Sequence, residues 1–190
     1  MARRVLGRGL MMLIAGLAMA PVCEAIDGAP EYRVKAAFVY KFATYIRWPP
    51  PVAGEVNTPF LIGVLGNDPF GSSLNDVVRG QTVRGRGIRI RALHRAEEAL
   101  ACDLVFVSSS EQRNLAQILA LLRTAPVLTV GDMDQFAEQG GMVGLVTTPD
   151  NHIRFDINSA AIDRAGLRAS SQLLHLARIV DEARGEGGHH

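Results

Sequence analysis

The chain is poor in cysteine and carries no long hydrophobic span. Only Cys23 and Cys102 occur in 190 residues, so a disulfide framework of the kind that holds small secreted scaffolds together is excluded. The longest apolar segment, Gly9 to Ala20, is too short to cross a bilayer comfortably. Motifs for chemistry are also missing. Gly63, Gly66 and Gly71 match neither G-x-G-x-x-G nor a P-loop, so a turn and close packing account for them better than a phosphate cradle. Ser108-Ser109-Ser110 lacks the G-x-S-x-G of a nucleophile elbow. His94, His152, His175, His189 and His190 show no H-x-x-x-H or H-E-x-x-H spacing, and no metal site is expected. The acid nearest to Asp68 in sequence is Asp76, so a carboxylate pair at that loop is not indicated either. No cofactor is called for. The weight falls on binding and regulation, with catalysis from distant loops as the reading left over.

What is present begins with an export signal. Arg3, Arg4 and Arg8 precede the apolar segment, and Pro21-Val22-Cys23-Glu24-Ala25 closes it with small residues where a signal peptidase reads. Residues 1–25 are expected to be removed, Cys23 with them, leaving Cys102 unpaired in an exported, soluble protein. Removal takes three arginines and one glutamate from totals of 20 and 19, leaving 17 basic and 18 acidic side chains. The resulting net charge of −1, histidines neutral, offers no field for nucleic acid or an anionic membrane. The remaining length suits one domain, residues 26–184, followed by a tail at 185–190.

The organising stretch is Phe60 to Leu65, an apolar run with the pattern of a strand buried on both faces. Gly66-Asn67-Asp68-Pro69 breaks it, and Ser72 to Arg79 reads as a helix. Strand, loop and helix open a parallel α/β sheet, whose ligands tend to bind at the carboxyl ends of strands. Before it, Glu31 to Trp48 predicts a helix with Val34, Phe38, Phe42, Tyr45 and Ile46 on one face and Arg33, Lys35 and Lys41 opposite.

After it, Ile88 to Leu93 alternates with Arg89 and Arg91, a strand near a sheet edge with one wet face. Glu97 to Ala101 is a helical turn, and Leu104 to Val107 and Pro126 to Val130 are further strands. Ser108-x-x-Glu111 and Ser109-x-x-Gln112 are capping patterns for a helix through Leu122, and Asp132-x-x-Gln135 for a short helix ending at Gly140-Gly141. Met142 to Thr147 and His152 to Ile157 predict an antiparallel hairpin on the edge of the sheet. Asn158 then caps a long terminal helix to Ala183, broken near Gly166. The fold expected is α/β: a mostly parallel, Rossmann-like sheet with a C-terminal antiparallel hairpin, flanked by helices.

Three segments together resemble one family. Tyr32-Arg33-Val34-Lys35-Ala36-Ala37-Phe38-Val39-Tyr40-Lys41-Phe42, ending in Trp48-Pro49, is similar to its N-terminal helix. Val64-Leu65-Gly66-Asn67-Asp68-Pro69-Phe70-Gly71 is similar to its first-strand signature. Arg154-Phe155-Asp156-Ile157-Asn158, Ala165-Gly166-Leu167 and Ser170-Ser171-Gln172-Leu173-Leu174 are similar to its C-terminal signature. The family is that of YfiR, the periplasmic repressor of a membrane-bound diguanylate cyclase.

The resemblance implies a homodimer-forming periplasmic domain, not an enzyme. It would dock on the sensor region of an inner-membrane diguanylate cyclase and be sequestered by an outer-membrane lipoprotein, so lowering cyclic-di-GMP and biofilm when free. Relatives often pair two cysteines; Cys102 resembles one, and Gly63 stands where the other is expected. Tyr40, Trp48, Asn67, Asp68, Phe70, Asn158 and Arg168, on the motif segments, are the candidate partner contacts. The plainer reading is that they pack helix against sheet. A second functional class is a periplasmic small-ligand sensor, using the Asn67–Phe70 loop with Arg84, Arg86 or Arg168 as an anion hook.

Overall fold

A computed structural model describes residues 30–50 and 58–182. The signal segment and its cleavage point, the middle of the Pro49–Pro59 loop and the C-terminal tail lie outside the described residues. In chain order the elements are α1 (Pro30–Tyr45), β1 (Ile46–Arg47), β2 (Phe60–Leu65), α2 (Ser73–Val78), β3 (Thr82–Val83), β4 (Arg86–Leu93), β5 (Leu104–Val107), α3 (Leu115–Leu122), β6 (Leu128–Gly131), β7 (Val143–Thr147), β8 (Ile153–Ile157), α4 (Ser159–Arg164), β9 (Arg168–Ala169), α5 (Ser171–Leu176) and β10 (Arg178–Ile179). Short 3-10 turns occupy Ala96–Ala101 and Ser109–Asn114.

Eight strands form one sheet in the order β10-β8-β7-β6-β5-β2-β4-β3. The pairings from β4 through β2, β5 and β6 to β7 are parallel, as the apolar runs demand. β7 and β8 form the expected antiparallel hairpin, with Thr147 opposite Ile153. Alternation divides the core. Ile62, Val64, Leu104, Phe106, Leu128 and Val130 face α1, α2 and α4, whereas Leu65, Val105 and Val107 face α3 across the sheet. Gly66, at φ +87°, turns the chain out of β2, a conformation that side chains oppose.

Four expectations are corrected. The long terminal helix is two short ones, α4 and α5, separated and followed by two-residue strands. β9 pairs with β1, and β10 adds outside β8, so the hairpin is not the sheet edge. Asn158 does cap α4, its Oδ1 accepting from Ala161 N at 2.9 Å, and Ser170 Oγ caps α5. Asp132 caps no helix: residues 132–140 are a run of turns. Finally, the buried stripe of α1 is Lys35, Ala36, Val39, Phe42 and Ala43, continued by Ile46 of β1, while Val34 and Tyr45 are exposed. Lys35 was expected among the wet residues; its ammonium is buried because an acid meets it there.

Candidate partner-binding surface

α1 spans the sheet from end to end. Tyr32, in its first turn, packs edge-on to Phe70 behind the carboxyl end of β2, and Trp48, just past β1, packs edge-on to Phe60 at the amino end. Six strand residues measure about 20 Å, so these are two separate places.

At the carboxyl ends, Asn67 and Asp68 are exposed on the loop after β2. The loop is pinned from both sides: Asn67 N donates to Ser110 Oγ at 2.9 Å, and Phe70 N donates to Asp68 Oδ1 at 2.8 Å. Phe70 itself is fully buried, its ring 4.6 Å from that of Phe106. It anchors the loop from beneath and is no surface contact. The same correction applies to Asn158, also fully buried, whose amide caps α4 and donates from Nδ2 to Ala137 O. An apolar ring after proline and a capping amide are what a fold consumes internally.

At the amino ends, Trp48 is half-buried and its indole donates to Asp103 O at 3.2 Å. Arg168 is exposed, paired with Asp163 at 2.7 Å, and sits opposite Arg47 in the β1–β9 pair, beside Trp48 in sequence. Tyr40 lies part-way along α1, its hydroxyl donating to Gln81 Oε1 at 3.1 Å. Trp48 and Arg168 therefore belong to one end, Asn67 and Asp68 to the other, and Tyr40 to the flank between. The structure also separates the parts of the anion hook. Arg86 is committed to Asp103 and to the carbonyls of Thr58 and Pro59, Arg168 to Asp163, and both are remote from the Asn67–Phe70 loop.

Two polar clusters escaped sequence reasoning. Lys35 Nζ lies 2.9 Å from Asp132 Oδ2 and 2.6 Å from Glu31 Oε1, and the same Asp132 oxygen accepts from the Tyr32 hydroxyl at 2.8 Å. Asp132 Oδ1 is buried and, among the described residues, without a partner. Burial, then the bond to Asp132, pushes the Tyr32 hydroxyl well above its ordinary value. The Lys35 ammonium, then the Thr147 hydroxyl, holds Glu31 below its own. The second cluster is Arg86 with Asp103, a paired fork at 2.7 and 3.0 Å. The only signal for either was an acid standing just outside an apolar strand: Asp132 after β6, Asp103 before β5. Cys102 has no disulfide partner among the described residues; it is buried, and burial raises its thiol. Among the described residues no three His, Cys, Asp or Glu side chains gather as metal ligands, and no helix is long and apolar enough to cross a membrane.

These features define a mixed α/β domain with exposed loops and faces rather than a converging constellation. The chain belongs to the YfiR/HmsC-like family, whose sequence profile matches residues 32–178. Membership makes it a member of a periplasmic, regulatory and non-catalytic family of cyclic-di-GMP signalling. In fold it is similar to a crystal structure of a conserved domain protein from Vibrio cholerae O1 biovar El Tor, at 10% identity and a TM-score of 0.52, over 78% of this chain and 59% of that one. It is also similar to the ABC domain from Streptococcus pneumonia in complex with L-Trp, at 11% identity and a TM-score of 0.51, over 76% of this chain and 60% of that one. The chain thus spans about six-tenths of either structure, and at these identities the likeness speaks for the fold alone.

Proposed function

We propose that this protein is a repressor. It docks as a homodimer on the periplasmic sensor region of an inner-membrane diguanylate cyclase, and an outer-membrane lipoprotein relieves it by sequestration. The observation that carries this reading is the family match, which spans the N-terminal helix, the first strand and the C-terminal segments alike. Repression needs differential affinity: the protein must bind the off state of the sensor more tightly than the on state, and the lipoprotein must compete for the bound surface. The exposed members of the motif segments supply the contacts in this reading: Trp48 and Arg168 at one end, Tyr40 on the flank, Asn67 and Asp68 at the other end. Phe70 and Asn158 hold those segments in place.

Cellular cyclic-di-GMP, measured with and without the gene, tests it. A rise on deletion, reversed by the exported form and not by a form lacking residues 1–25, is expected. Unchanged cyclic-di-GMP across several envelope stresses would overturn repression.

A further inference from the structure

The two edges of the main sheet differ. β10 closes one with a short strand whose Arg178 is bound to Asp156 and Glu138. At the other edge β3 covers only Arg86 and Gly87 of β4. From Ile88 to Leu93, six residues or about 20 Å, β4 pairs with β2 on its inner side and with no strand on its outer side, among the described residues. A free parallel edge of this length is a template for another strand.

Its side chains say which strand. Ile88 and Ile90 face the helices α1 and α2, half-buried against that core. Arg89 and Arg91 project from the opposite face, exposed, and among the described residues neither makes a hydrogen bond or an ion pair within 4 Å. From Arg79 to Arg95, both included, the chain holds six arginines and no acid. A second copy is a poor occupant. Antiparallel pairing centred on Ile90 would set Arg89 opposite Arg91 twice, and like charges directly opposed repel. An extended segment with acids at alternate positions meets the arginines instead, and apolar residues between them continue the Ile88 and Ile90 face.

We infer that the outer edge of β4 is a strand-addition site for an extended acidic segment of another protein, with Arg89 and Arg91 selecting its alternating carboxylates. The arginines thus bar self-association and admit one partner chemistry at the same edge. None of the residues proposed for the cyclase lies on β4 itself, and the test contains no cyclase.

The probe is a labelled, acetylated Glu-Val-Glu-Val-Glu-Val amide, titrated with the exported protein by fluorescence anisotropy. Binding should weaken with salt. It should fall at least tenfold in R89E/R91E, which should then prefer the Lys-Val counterpart. Methylating the backbone nitrogens of one alternate set of residues should abolish binding, and of the other set should not. Slowed amide exchange in β4 on binding would locate the strand. If the double reversal fails to fold by circular dichroism, R89Q/R91Q takes its place, with the same tenfold loss expected. The inference is overturned by equal binding to wild type and the charge variant, by no binding at all, or by equal binding of both methylated forms, which would mark the edge as a mere polyanion patch.

Discussion

At the carboxyl ends of the strands Lys35 meets Asp132, and at their amino ends Arg86 meets Asp103, but the two pairs are built to different standards. Lys35 and Asp132 are about 5% and 4% exposed at the side chain, with both donors crowded onto one carboxylate oxygen and the other oxygen, among the described residues, left alone. Arg86 and Asp103 are about a fifth exposed, every strong contact is paired, and the carboxylate also accepts from Leu61 N at 2.8 Å. A planar guanidinium matches a carboxylate in two places at once, whereas an ammonium is a point charge. The amino end therefore resembles a rivet that water can still reach. The carboxyl end is a buried charge balance, dependent on each member being present, because desolvation leaves any survivor uncompensated.

The largest effect should come from breaking that balance. Asp132→Ala leaves Lys35 buried with only Glu31 to face, and should cost about 3 kcal/mol, near the low end for a buried pair because Glu31 remains. Replacing Lys35, Asp132 and Tyr32 together, by Lys35→Met, Asp132→Leu and Tyr32→Phe, should instead be neutral or stabilising. Urea unfolding of both variants decides it. If the single and triple variants lose equal stability, the buried balance is not what holds the carboxyl end.

Next in size is a covalent alternative at the other end. A Cβ built on Gly63 would stand 3.0 Å from Cys102 Sγ, the residue before Asp103, with Leu93 Cδ1 in the way at 2.5 Å. Gly63→Cys should therefore cross-link to Cys102 under oxidising conditions. Closing a loop of roughly 40 residues is worth about 4 kcal/mol in the chain-entropy model, from which displacing the tip of Leu93 takes about 1 kcal/mol. The observable is a higher urea midpoint that reductant reverses. Arg86→Ala, expected to cost about 2 kcal/mol on its own through lost charge-assisted bonds, should cost less in the cross-linked background, since both hold the same junction. Additive costs would mean the rivet and the cross-link act on different elements.

Much of this architecture was legible where one period dominated. Phe60 to Leu65, Leu104 to Val107 and the hairpin after Met142 announce themselves as strands because burial on two faces needs unbroken apolar runs, and alternation needs only a few residues. β9 and β10 were not legible: two residues carry no period, and their formation depends on β1 and β8 being in place first. Gly166, at φ +73°, marked the first break, and nothing comparable marked the second at Ala177. Lys35 deceived because composition assigns an ammonium to solvent, and the acid that reverses the assignment lies 97 residues away. Of the surface residues chosen from the family motifs, sequence could not tell Phe70 from Asn67. They are three positions apart in one loop, and only the tertiary fold decides which turns inward.

The smallest effect should be a dependence on pH confined to the carboxyl end. Glu31 is held below its ordinary value of 4.5 by the Lys35 ammonium, then by the Thr147 hydroxyl. A depressed carboxyl favours the fold above its unfolded value, and that contribution fades as pH falls from about 4.5 through the folded value. Tyr32 behaves oppositely: burial raises its hydroxyl, so its contribution is complete below the ordinary value of 10 and is lost as pH climbs through the folded one. Because Glu31 is about a third exposed, solvent screening keeps its share below about 1 kcal/mol. The wild type should thus lose urea resistance between pH 5 and pH 3 slightly faster than Glu31→Gln, and Tyr32→Phe should flatten only the alkaline limb. Arg86→Ala should lower the whole curve without changing the slope difference between the Glu31 variants. A changed difference would mean that the two ends of the sheet are coupled, and that neither can be treated as a separate device.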